Sequence, residues 1–140
     1  MGDTLREGDT FGRILYYWGW WDCPRQGVCE VGGVRTHFLN EFSDDLDDYP
    51  AEFTIWPATL EEFDAGNALW QEWAAWRRRF DLGDRGEAFM ASAPARRATG
   101  FVPPRPPSNA QLALPEWRLD PNRSFAHALP AHWVRWHSLT

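Results

Sequence analysis

The sequence predicts an α+β fold: an antiparallel β-meander of about four strands packed on one amphipathic helix, with an irregular Pro/Arg-rich C-terminal arm. Three observations predict it. A Gly-Gly pair separates two short runs of β-forming residues, and a Thr-x-x-Glu box opens a long stretch of helical periodicity. Beyond Gly83 the composition shifts to Pro, Ala and Arg. Residues 1–90 are therefore the expected globular domain, and residues 91–140 the expected arm, whose aromatic end docks back on the body.

The first strand is expected in residues 11–21, FGRILYYWGWW, where aromatic and bulky side chains favour extended backbone. Alternation places Ile14, Tyr16, Trp18 and Trp20 on one face and Leu15, Tyr17 and Trp21 on the other. A strand apolar on both faces is a covered one. DCPRQG then turns the chain. In VCEVGGVRTHF, Gly32 and Gly33 supply the positive φ angles of a two-residue hairpin. Counting outward pairs Val31 with Val34, Glu30 with Arg35, Cys29 with Thr36 and Val28 with His37. An acidic loop, SDDLDDYP, leads to a short strand, EFTIWP, stopped by Pro57.

Thr59 and Glu62 form a capping box at the head of a helix reaching Phe80, with Gly83 as its C-terminal stop. Leu69, Trp70, Trp73, Trp76 and Phe80 fall in one apolar stripe, and Gly66 is a weak point where the helix splits in two. The Ile14, Tyr16, Val31, Val34, Phe38 and Ile55 side chains and this stripe bury one another. APARRATGFVPPRPPSNAQ reads as an extended linker; its PPRPP is a polyproline II segment of the kind that docks in aromatic grooves, expected here as a stiff spacer. The last segment, with Trp117, Trp133 and Trp136, is too aromatic for an unattached tail.

Composition narrows the chemistry. Every basic residue is Arg, which excludes Schiff-base, phosphate-loop and other lysine-dependent mechanisms. Residues 1–65 carry 14 acids against 4 Arg, and residues 66–140 carry 6 acids against 10 Arg. The negative front half disfavours phosphate backbones, so nucleic acid is not an expected partner; that reading would rest on Arg77, Arg78, Arg79, Arg96, Arg97 and Arg105. The charge asymmetry lets the back half fold onto the front half of the same chain, or of a second copy in a homodimer built through the C-terminal arm. No apolar run reaches membrane-spanning length, residues 1–9 are polar and acidic rather than leader-like, and two cysteines make no disulfide framework, so the cytoplasm is the expected compartment.

No cofactor and no metal are expected. Cys23, Cys29 and His37 are zinc-ligand types, but C-x5-C is not a zinc spacing and the hairpin register puts Cys29 and His37 on opposite faces. His127, His132 and His137 recur every five residues, a spacing that shares no helical face, and Pro130 interrupts them. The acidic loop lacks the glycine and terminal glutamate of an EF-hand. No nucleophile elbow, phosphate-cradling glycine loop or H-E-x-x-H is present. His37 with Glu41 and Asp22 with Glu52 are the acid–base pairs an enzyme would draw on, and neither pair is specific.

What stands out is an acidic loop, Asp44, Asp45, Asp47 and Asp48, together with an aromatic surplus led by Trp18, Trp20 and Trp21. Anionic rims with aromatic anchors suit basic protein partners. The expected function is a non-catalytic protein-binding module, an immunity- or inhibitor-like or small regulatory protein, with these seven residues as its surface. The alternative is a small-molecule- or metal-dependent enzyme of an unfamiliar family.

Overall fold

The computed structural model describes residues 11–18, 20–21, 23–92, 103–120 and 132–139. Six strands close into an antiparallel barrel in the order β1 (Gly12–Tyr17), β4 (Gln26–Val31), β5 (Val34–Leu39), β6 (Phe53–Pro57), β7 (Gln111–Leu119), β8 (His132–Ser138), and β8 returns to β1. A two-stranded ribbon, β2 (Trp20–Trp21) and β3 (Cys23–Pro24), interrupts the β1–β4 connection. Helix α1 (Leu60–Asp81) and the short α2 (Glu87–Ala91) lie between β6 and β7. This corrects the expected four-stranded meander with an irregular arm. The segment read as an arm supplies β7 and β8, because four strands alone leave two unpaired edges and an uncovered apolar face, and closure removes both.

The hairpin forms in the expected register, from Val31↔Val34 out to Gln26↔Leu39. Gly32 and Gly33 take φ of 55° and 82°, the left-handed conformations a tight turn requires. In β1 the simple alternation fails. Ile14 pairs with Cys29 while Tyr16 pairs with Val28, so a bulge at Leu15 turns Ile14 and Tyr16 to opposite faces. Ile14 points into the barrel; Tyr16 points outward, under α1, where its hydroxyl donates to the Phe63 carbonyl at 3.0 Å.

The barrel interior is filled by rings. Phe53 lies 5.4 Å from Trp136, 5.9 Å from Trp117 and 6.3 Å from Phe38, centroid to centroid. Cys29, Ile55, Ala113 and Val134 complete the packing, all buried. Val34, expected in the core, is instead exposed at the hairpin end.

Helix α1 packs on the outside of the barrel. The Thr59–Glu62 capping box is present in both directions, and the helix closes with the N–H of Asp84 on the Arg79 carbonyl at 3.0 Å and Gly83 at φ 111°. The helix is continuous through Gly66, so no split occurs. Its buried residues are Gly66, Trp70 and Ala74, spaced by four, whereas Leu69, Trp73, Trp76 and Phe80 are only half-buried. Beyond Ala74 no residue of the helix is fully buried. There α2 covers it: Phe89 stacks on Trp76 at 5.1 Å with 2° between planes, and the Trp76 indole N–H donates to the Phe89 carbonyl.

Candidate functional site

The strand directions bring the β1–β4 and β5–β6 connections to one end of the barrel. Trp18 follows β1 directly; its backbone N–H is bonded to the Gln26 carbonyl at 2.9 Å and its ring stacks on Tyr16 at 5.3 Å. Asn40 follows β5 and is buried because it organises the neighbouring loop. Its Oδ1 accepts from Arg25 Nη1 at 2.8 Å, and its Nδ2 donates to the carbonyls of Pro50 and Glu52 at 2.9 and 3.0 Å. A buried amide with these bonds satisfied is a rigid clamp.

From that clamp the acidic loop projects as a closed turn. Ser43 and Asp48 form an isolated bridge, the Leu46 N–H reaches Ser43 Oγ, and Asp47 adopts φ 52°, a left-handed conformation that Asp tolerates better than most residues. Asp44, Asp45, Asp47 and Asp48 are all exposed. In their midst Leu46 is 62% exposed, and Phe42 at the base of the loop is 49% exposed and edge-on to Tyr49. Arg25 lies over the Tyr49 ring at 4.0 Å.

Between the two connections lies a cleft of about 530 Å³, lined by Trp18, Leu39, Phe42 and Tyr49 with Arg25 and Glu41 among its polar groups. That volume falls within the ordinary range of ligand clefts, roughly 300–1,000 Å³. Trp18 lines this cleft; the four aspartates do not, and their loop runs between two of its lining residues, Phe42 and Tyr49. Trp20 and Trp21 form β2, which pairs with β3, and their side chains lie outside the described residues. Sequence reasoning passed over Asn40, Arg25, Phe42, Leu46 and Tyr49. A leucine flanked by pairs of aspartates was a visible signal; the clamp at Asn40 had none.

The other constellations separate. Cys29 is inside the barrel, accepting from the Trp136 indole N–H at 3.4 Å, with its thiol on the Thr36 carbonyl at 3.6 Å. Burial pushes this thiol up to about 12, and the Trp136 N–H only partly offsets it. His37 is on the outer face beneath α1, against Trp56 at 4.9 Å, with Nε2 3.1 Å from Glu62 Oε1. Its partner is therefore Glu62 rather than Glu41, which forks onto Arg105. Asp22 and His127 lie outside the described residues. His132 meets Trp117 edge-on and His137 pairs with Glu116 at 2.8 Å, and five residues of strand separate them by about 16 Å. Among the described residues no three of His, Cys, Asp or Glu gather to hold a metal ion.

Burial lowers the His37 pKa, and the Glu62 carboxylate beside it restores only part of the shift. For Glu62, burial raises the carboxyl, but the Thr59 N–H and the His37 ring outweigh it and hold it below its ordinary value. One carboxylate thus closes the capping box and ties the helix to the barrel. Of the arginines considered for nucleic acid, Arg77 pairs with Asp81 and Arg79 with Asp84, and Arg96 and Arg97 lie outside the described residues. No described helix is long and apolar enough to cross a membrane.

Comparison of the chain with protein-family models, with curated proteins and with solved structures finds no match in any of the three.

Proposed function

We propose that this protein is a non-catalytic protein-binding module, immunity- or inhibitor-like or a small regulatory protein, which presents the lip of the barrel to a basic partner. The observation that carries this reading is the exposure of Leu46 among Asp44, Asp45, Asp47 and Asp48, on a loop that leads from Phe42, itself exposed and lining the aromatic cleft. Apolar anchors inside a charged rim are how protein interfaces combine affinity with steering: the anchor slows dissociation, and the rim speeds encounter. The Asn40 clamp supports the same reading, since a preorganised loop loses little entropy on docking.

The test is association kinetics against immobilised Arg/Lys-rich peptides and charge-reversed controls of equal length. The expected result is binding to the basic set alone, with an on-rate that falls as salt rises. Replacing the four aspartates with asparagine slows association and flattens that salt dependence. Leu46→Ala raises the off-rate. An on-rate untouched by the four replacements overturns the proposal.

A further inference from the structure

We infer that the lip recognises arginine presented in an extended, proline-flanked segment, and that residues 103–107 of this chain are its intramolecular occupant. The inference rests on the binding-module reading above and names the kind of partner segment.

Pro103, Pro104, Pro106 and Pro107 surround Arg105, and each proline fixes its own φ while pressing the residue before it toward extended backbone. Such a segment is stiff before it binds, so little chain entropy is lost on docking. Arg105 sets both arms of its guanidinium on Glu41, Nη1 to Oε2 at 3.2 Å and Nη2 to Oε1 at 3.0 Å, across 64 positions of sequence. Two-pronged pairing of this kind selects arginine over lysine by geometry. Glu41 also lines the cleft, beside Phe42, and the first of the loop's four aspartates, Asp44, comes three positions later. Glu41, one of the residues that line the cleft, thus already holds an arginine.

The hold is loose. The two side chains are 67% and 58% exposed, and exposed pairs of this kind shift an equilibrium by no more than about five-fold (about 1 kcal/mol). What keeps the segment in place is its tether. The Ala110 N–H bonds the Pro107 carbonyl, and β7 starts at the next residue, so Arg105 stays near Glu41 at high local concentration. A partner carrying the same motif thus competes with the chain's own arginine.

The test uses a labelled synthetic peptide of residues 103–109, the same peptide with alanine for arginine, and a proline-free basic peptide. These are titrated into the full chain and into its Arg105→Ala and Arg105→Ala/Glu41→Gln variants. The 103–109 peptide is expected to bind Arg105→Ala up to about five-fold tighter than the unaltered protein, because the internal competitor is gone. Adding Glu41→Gln removes that gain, and the alanine peptide binds none of the three. Equal affinity for the unaltered protein and Arg105→Ala overturns the inference, as does a dimer that dissociates when Arg105 is replaced. If the proline-free peptide binds through the aspartates while the 103–109 peptide fails, this inference falls and the binding-module reading stands. If neither peptide binds, both fall.

Discussion

Gly66 of α1 lies against the ring of Tyr16 in β1: a Cβ on the glycine would stand 2.7 Å from Cε1 and Cζ of that ring. The residue that weakens the helix on propensity is thus the one that lets the helix approach the barrel. Tyr16 in turn bonds the Phe63 carbonyl one turn earlier, so a single ring spaces and aligns the two elements.

Gly66→Ala therefore destabilises, against the helix scale. In an exposed helix the change gains about 1 kcal/mol, whereas overpacking a filled site costs roughly 1–3 kcal/mol. The net expectation is a loss of up to about 2 kcal/mol in chemical denaturation. A raised denaturation midpoint would show that the helix does not sit on Tyr16.

Acid weakens the fold through His37. Its folded pKa lies below its unfolded value, so the unfolded chain takes up the proton first. This contribution is whole above the unfolded value of about 6.5 and is lost as pH falls from there toward the lowered folded value. Glu62, also lowered, loses its contribution further down, below the ordinary carboxylate range. Denaturation midpoints between pH 7.5 and 5 should fall less steeply in His37→Gln than in the parent chain. Parallel slopes would exclude His37 as the source.

The two cysteines differ in reactivity. Cys23 is half-exposed, and Cys29 is buried with a thiol raised to about 12. A thiol reagent at neutral pH is expected to modify Cys23 in the native protein and Cys29 only on unfolding. Cys29→Ala strands the buried Trp136 N–H and costs about 1–3 kcal/mol, read from the denaturation curve. Rapid native labelling of both thiols would contradict the closed interior.

A chain ending at Ala91 should not unfold cooperatively. It retains β1, β4, β5 and β6 but loses Ala113, Trp117, Val134 and Trp136 from the interior and opens edges at β1 and β6. Retention of the parent midpoint would show that residues 1–90 form a domain without the barrel's last two strands.

Much of the local architecture was legible. The hairpin register, the capping box and the stop at Gly83 depend on residues a few positions apart, and each appears where expected. The last two strands were not legible. The Pro/Ala/Arg-rich composition read as an arm, and Pro115 sits inside β7; β6 pairs only as far as Ala113, so at Pro115 the ladder runs on the β8 side alone and proline is accommodated. The site was half legible. The aspartates and Trp18 stood out by composition, but the cleft that Trp18 lines depends on strand direction, and the bonds that tie down the loop depend on Asn40.

The sequence by itself determined the turns, the caps and the charge of the loop, because those follow from backbone preferences and from side chains that reach their own neighbours. Only the tertiary structure decided the barrel, the His37–Glu62 pair and the cleft. The closing contact, Gly12↔Val134, spans almost the whole chain, and no local preference encodes it. It is favoured because Phe38, Phe53, Trp117 and Trp136 leave water together, a gain that exists only when all six strands have met.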